Sequence, residues 1–219
     1  SKRKAMQIGA LIEPLAVAYN GLFVRGGGFR PGSDVVIFGA GPIGLSALVL
    51  AKTSGAANII MFEKLPGRIE LAKKNGATHA FNLDEVKAEG STPSKKIMEV
   101  TKGRGAGVIA ESTEFQHVKM PEIEKSLAIG GKVVQIGISS RTAPVHAEML
   151  QLVGASYHGT IGSAGHGIWT DVINLIATGR VDPSRYMNPR VYRLDEALDA
   201  IRDAAKGVPG KNVVDPTLT

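Results

Sequence analysis

Residues 34–44 read DVVIFGAGPIG. The first five form a continuous apolar run rich in β-branched residues, the pattern of a strand buried on both faces. Gly39-Ala40-Gly41-Pro42-Ile43-Gly44 follows at once, and Pro42 opens a helical stretch over residues 42–54 that Gly55 stops. A G-x-G-x-x-G run alone is weak in a chain with 27 glycines. Here it lies between a strand and a helix, and Glu63 ends the next strand 24 residues after Gly39. That context is what a dinucleotide-binding fingerprint requires.

Each position then has an expected task. Gly39 permits the tight turn, Gly41 lets the backbone approach a pyrophosphate, and Gly44 lets helix and strand pack closely. The helix N-terminus, opened by Pro42, faces the phosphates with partial positive charge and unpaired N–H groups, that of Ile43 among them. Glu63 would accept hydrogen bonds from the adenosine ribose and repel a 2′-phosphate, which favours NAD over NADP. Lys64 and Arg68 pull the other way, since either cation could hold a phosphate. Arg68 could equally cover the adenine or ribose.

Outward from this stretch, strands and helices alternate. Residues 58–62 (NIIMF) are a second buried strand, followed by a helix over 66–75 with Lys73 and Lys74 near its end and Gly76 as its stop. Residues 78–81 are a third strand, and Thr92-Pro93 opens a helix that ends before Gly103. Strands four to six fall at 108–111, 132–136 and 155–159, with a helix around 121–129 between the first two. The expected fold is α/β: a doubly wound, Rossmann-type parallel sheet in the order 3-2-1-4-5-6, with a C-terminal return segment. That segment reads as a helix over 168–178, a possible strand at 190–193, a helix over 194–206 and a strand at 212–214.

Composition narrows the function. With 219 residues, 43% hydrophobic and 21% charged, the chain suits one α/β domain with a small appendage and excludes a disordered or fibrous protein. The net charge of +6 clusters only at Lys2, Arg3 and Lys4, so no nucleic-acid partner is expected. Cysteine is absent, which excludes disulfides, thiol catalysis and thiolate-bound zinc within the chain. The longest apolar run, 35–51, is broken by glycines and is no membrane span, and no secretory signal is visible, so the default location is cytoplasmic. His79, His117, His146, His158 and His166 fall in no metal-ligand or catalytic pattern. His158 and His166 flank a Gly-rich loop and read as loop histidines.

Six stretches in order carry a resemblance: GALIEPLAVAY (9–19), PGSDVVIFGAGPIG (31–44), ELAKKNGA (70–77), GVIAEST (107–113), GGKVVQIG (130–137) and GRVDP (179–183). Together they resemble the zinc-type medium-chain dehydrogenase/reductase family, and Leu11-Ile12-Glu13-Pro14 is similar to its sorbitol, threonine and cyclitol branch. The resemblance implies NAD(P)-linked oxidation of a secondary alcohol to a ketone, with catalytic zinc and a small-molecule alcohol or ketone substrate; the acid at position 63 makes NAD the expected cofactor. Ile43, Glu63 and Arg68 match the family's cofactor contacts. Ile136, Gly137 and Ile138 match its nicotinamide-side strand end, Thr160, Ile161 and Gly162 its loop after strand six, and Thr113 closes the GVIAEST stretch. Glu13 matches an acidic residue at or beside the zinc; a helix-start carboxylate favoured by the helix dipole is its other reading.

The family's remaining zinc ligands belong to a catalytic domain whose motifs are not in this sequence. On this reading residues 1–30 are a linker helix leading from that domain, 31–162 the NAD-binding domain and 163–219 the return segment, and the chain by itself is inactive. A zinc-free, quinone-reductase-type relative and a non-catalytic NAD-sensing module stay open as alternatives. Strand six holds no Lys, Asp, Glu or Pro to discourage edge pairing, and the resemblance adds a homodimer or tetramer.

Overall fold

The computed structural model describes residues 2–218. The chain enters through α1 (Lys2–Gly9) and α2 (Ile12–Tyr19), which runs directly into a π-helix (Asn20–Arg25). By length and composition Lys2–Arg25 is long and apolar enough to cross a membrane. Leu11, Leu15 and Leu22 of this stretch are instead sealed in the core, where α2 packs on the helix after the glycine turn.

From there the elements alternate. They are β1 (Asp34–Phe38), α3 (Pro42–Thr53), β2 (Asn58–Glu63), α4 (Pro66–Asn75) and β3 (His79–Asn82), then α5 (Leu83–Ala88), α6 (Pro93–Val100), β4 (Ala106–Glu111) and α7 (Gln116–Glu124). Next come β5 (Leu127–Gln135), α8 (Ala147–Leu152), β6 (Ser156–Gly159) and α9 (Ile168–Ala177). A short 3₁₀ turn (Pro183–Tyr186) leads to β7 (Met187–Tyr192), α10 (Ala197–Ala205) and β8 (Lys211–Val214). All six strands of the main sheet are parallel, in the order β3-β2-β1-β4-β5-β6, as expected; β7 and β8 form a separate parallel pair.

Both faces of the sheet are covered. Val35 and Ile37 of β1 join one core with Leu15, Leu45 and Leu48, while Val36 and Phe38 join the other with Ile60, Ile97, Ile109 and Ile123. A strand whose alternate side chains enter two cores has no polar face, which is why DVVIF is apolar throughout. The C-terminal segment is tied back to α3 by Tyr186, whose hydroxyl lies 3.1 Å from Ser46 Oγ. Burial pushes that phenol up to about 12, so it stays neutral across the physiological range.

Between β4 and β5 the observed structure corrects the sequence reading. The helix spans Gln116–Glu124 with Pro121 inside it, and residues 127–129 already belong to β5. Pro121 does not open the helix because Gln116 does: its side chain anchors to the Thr113 carbonyl and to Glu111. Leu127 is drawn into the sheet by pairing with Ala106, a contact remote in sequence. Helices α5 and α8, absent from the sequence reading, add one to two turns each, and Leu83 of one and Leu150 of the other pack against the core of Val36 and Phe38.

Candidate functional site

Strand register sets the site's floor. Phe81, Phe62, Phe38, Glu111, Gln135 and Gly159 form one row across the six strands. The residues one step beyond, Glu63, Gly39, Ser112, Ile136 and Thr160, therefore line the crevice outside the carboxyl ends. In a doubly wound sheet this is the ligand position, at the switch between the halves flanking β1 and β4.

The three turn glycines differ in what surrounds them. A Cβ at Gly39, where φ is +93°, would lie 2.7 Å from Thr113 Cγ2, and one at Gly44 would lie 1.9 Å from the Gly39 carbonyl oxygen. At Gly41 the nearest atom is Arg68 Nη1, 3.9 Å away. The outer glycines are thus closed by the protein, and the middle one faces open space at the N-terminus of α3, where the first-turn N–H groups have no intrahelical partners.

Glu63 is drawn onto this turn. Its Oε2 accepts the Ala40 N–H at 2.8 Å, and its Oε1 accepts the Lys64 and Leu65 N–H groups at 2.7 and 3.2 Å. Arg68 stands 4.0 Å from Glu63, whereas Lys64 turns away to pair with Asp84 at 3.6 Å. Of the two expected cations, only Arg68 reaches the turn.

Across the crevice, Thr113 fastens β4 to its neighbours. Its methyl group abuts Gly39, and a Cβ at Gly137 would lie 1.8 Å from its carbonyl oxygen. Its hydroxyl donates to Glu111 and accepts from Lys119 Nζ at 2.7 Å. Glu111 is fully buried and also accepts from Gln116 at 2.9 Å and Gln135 at 3.2 Å, with Lys119 Nζ 3.6 Å away. Burial pushes the Lys119 ammonium below the usual lysine range, and Glu111 pulls in the opposite direction. Neither Glu111 nor Lys119 stood out in the sequence; the available signal was a carboxylate ending an otherwise apolar strand.

Ile136 is buried at the end of β5, whereas Ile138 and Ile161, beyond β5 and β6, are 73% and 80% exposed. They leave two apolar side chains at the rim on the β5–β6 side. Glu13 sits exposed in the first turn of α2, and among the described residues no three His, Asp or Glu cluster as metal ligands. His158 bonds Ser156 within β6, at 2.7 Å, and takes no part in the crevice.

Residues 42–178 match the family model described as zinc-binding dehydrogenase. The chain is 37% identical to scyllo-inosose 3-dehydrogenase from Thermotoga maritima over 180 residues, 78% of this chain and 43% of that protein. It is 29% identical to sorbitol dehydrogenase 1 from Saccharomyces cerevisiae over 198 residues, 88% of this chain and 53% of that one. Among solved structures, benzyl alcohol dehydrogenase from Acinetobacter calcoaceticus superposes with a TM-score of 0.77 at 30% identity, covering 93% of this chain and 54% of that one. For 2R,3R-butanediol dehydrogenase from Bacillus subtilis the values are 0.80, 27%, 95% and 57%. The chain spans about half the length of these relatives. With a doubly wound sheet, a closed-open-closed glycine turn and a family match over more than half its length, the chain belongs to the zinc-binding dehydrogenases, the zinc-type medium-chain family, and corresponds to their cofactor-binding half.

Proposed function

We propose that this chain binds NAD along the carboxyl ends of its sheet and serves as the cofactor half of a zinc-dependent dehydrogenase. That enzyme would oxidise a secondary alcohol of the polyol or cyclitol type to a ketone. The observation that carries the reading is the open face of Gly41 between two glycines that the protein itself fills. Only there can a pyrophosphate lie against backbone at the head of α3.

On this reading Gly39 and Gly44 shape the turn, while the α3 N-terminus, with Pro42 and Ile43, holds the phosphates. Glu63 takes the adenosine ribose hydroxyls. Its own ion pair with Arg68, and that of Lys64 with Asp84, leave both cations engaged with acids, which favours NAD over NADP. Thr113, Ile136, Gly137 and Ile138 with Thr160, Ile161 and Gly162 would flank the nicotinamide end, where the exposed isoleucines exclude water from one side of the ring. When bound, the nicotinamide supplies the hydride-accepting carbon.

Zinc does not fit this chain alone. Glu13 offers one carboxylate, and a tetrahedral site needs three or four ligands. In the proposed enzyme the other ligands come from outside these 219 residues. The polyol or cyclitol substrate rests on the relatives' names. A cytoplasmic homodimer or tetramer accompanies the proposal, with β6 as the exposed sheet edge.

Calorimetric titration with NADH tests the reading. Saturable binding of one NADH per chain is expected, and its loss in a Gly41→Val variant that still unfolds cooperatively. No binding at millimolar NADH would overturn it.

A further inference from the structure

Asn20 opens the π-helix and is 2% exposed. Its Nδ2 donates to Thr160 Oγ1 at 3.1 Å and to the Gly162 carbonyl at 2.9 Å, with the Ile161 carbonyl at 3.5 Å. Two of these partners can only accept, so the NH₂ end of the amide must face the loop. Its Oδ1 has no hydrogen-bond partner. An unpaired buried carbonyl is a cost that a leucine of similar size would avoid. What offsets that cost is the donor end, which holds the loop.

The π-helix delivers that donor to the loop. Gly26 N–H bonds the Gly21 carbonyl five residues back at 2.8 Å, the wide turn that gives such helices their frequent place at functional sites. Gly21 lies flush on β5, where a Cβ would come within 2.9 Å of Ile136 Cδ1. Lys132, also on β5, closes the far end by donating to the Gly26 and Gly28 carbonyls at 2.9 and 3.0 Å. With both ends seated on β5, Asn20 is held over the end of β6.

We infer that Asn20 is a positioning residue for the nicotinamide half of the cofactor, acting through the 160–162 loop. The inference rests on the NAD reading above. In a doubly wound sheet the two halves of the dinucleotide lie on opposite sides of β1. Glu63 on β2 marks the adenosine side, and every loop contact of Asn20 falls on the β6 side. The amide fixes the direction of the Gly162 carbonyl and the Thr160 hydroxyl, the hydrogen-bonding groups that this loop can offer a carboxamide. Its loss should be felt by a ligand that carries nicotinamide and ignored by one that does not.

ADP-ribose retains the adenosine, pyrophosphate and second ribose but lacks the nicotinamide, so comparing it with NADH isolates the effect. The 219-residue chain and its Asn20→Leu and Asn20→Asp variants would be titrated with both ligands by calorimetry, with thermal unfolding recorded alongside. Asn20→Leu should weaken NADH about tenfold and change ADP-ribose by less than about twofold. Asn20→Asp, which sets a carboxylate oxygen against the same acceptors, should lose at least as much NADH affinity. If leucine at position 20 prevents folding, Asn20→Ala removes the same donor without filling the space and should show the same selectivity. Equal losses for both ligands, or unchanged NADH affinity in folded variants, would overturn the inference. A wild-type chain that binds neither ligand would overturn the cofactor reading itself; one that binds both while the variants do not discriminate overturns only the role of Asn20.

Discussion

A Cβ placed on Gly44 would lie 1.9 Å from the Gly39 carbonyl oxygen, so the first and last glycines of the turn are in backbone contact. The obstacle is main chain, which no rotamer change can relieve. Gly44→Ala should therefore destabilise the fold by about 3 kcal/mol, the upper end of overpacking costs. Gly41→Ala meets nothing closer than 3.9 Å and should leave stability within about 0.5 kcal/mol while weakening NADH at least about tenfold. Urea unfolding and calorimetry on the two variants check both halves. Equal stability losses would remove the distinction between closed and open glycines.

Glu63 sets the cofactor choice. Three backbone N–H groups and Arg68 hold its carboxylate at the turn, already oriented and ionically partnered. NAD(H) should bind at least about tenfold more tightly than NADP(H), equivalent to about 1.4 kcal/mol. Glu63→Gln should narrow the gap by removing the repulsion of a 2′-phosphate. Equal affinities in the wild type would mean that Arg68 and Lys64 hold that phosphate after all.

How much of this could be read in advance depended on whether a residue's task was local. The strand–turn–helix of 34–53 was legible because each glycine's constraint comes from atoms a few positions away, as Gly39 and Gly44 show. Sheet order was legible because buried parallel strands and crossover handedness leave few topologies. The start of β5 was not, because Leu127 joins the sheet only by meeting Ala106, some twenty residues earlier. Helix α7 was misplaced because proline usually marks a first helical turn, whereas Gln116 starts this helix five residues sooner by bonding groups at the end of β4. Asn20 and Glu111 escaped for the same reason. The partners of Asn20, at 160–162, are far off in the chain, and those of Glu111 converge from the next helix and from Gln135 on the neighbouring strand; an isolated polar residue in sequence carries no sign of what it will face.

The buried Glu111–Lys119 pair makes its own prediction. Lys119→Met leaves a fully buried carboxylate with hydrogen bonds but no cation, and should cost about 3 kcal/mol. Adding Glu111→Gln should recover most of that loss, because an amide carries no charge to strand. Denaturant unfolding of the single and double variants decides the matter. A double variant no more stable than the single would show that the pair acts mainly through packing.

His146 anchors the start of α8 through Glu124, with its N–H and its Nδ1 each 2.8 Å from a carboxylate oxygen. The hydrogen bond and charge of Glu124 raise the His146 pKa above the ordinary 6.5. A raised folded-state value means the pair's stabilisation is complete below 6.5 and is lost as pH rises through the raised value. The difference in Tm between wild type and His146→Gln should therefore be larger at about pH 6 than at about pH 9. A difference independent of pH would assign the contact to the backbone N–H alone.

The assembly prediction rests on β6. Its order in the sheet leaves one side of Ser156–Gly159 without a neighbouring strand. Exposed edges are ordinarily protected by lysines, prolines, bulges or a covering segment, and residues 156–159 (SYHG) contain neither lysine nor proline. Tyr157 is 37% exposed there, its hydroxyl turned back to Gln135 Oε1 at 3.1 Å. A second copy related by a two-fold axis would set the same strand antiparallel to itself and continue the sheet across the axis. The unpaired N–H and C=O groups of each edge would then satisfy the other's. Light scattering at micromolar concentration should report about twice the 23.0 kDa chain mass. Tyr157→Lys, which places a solvated charge on the edge, should shift the population to monomer while the chain still binds NADH, since the crevice lies beyond the carboxyl ends of the strands. A wild-type monomer would overturn the assembly, and a dimer indifferent to lysine at 157 would place the contact elsewhere.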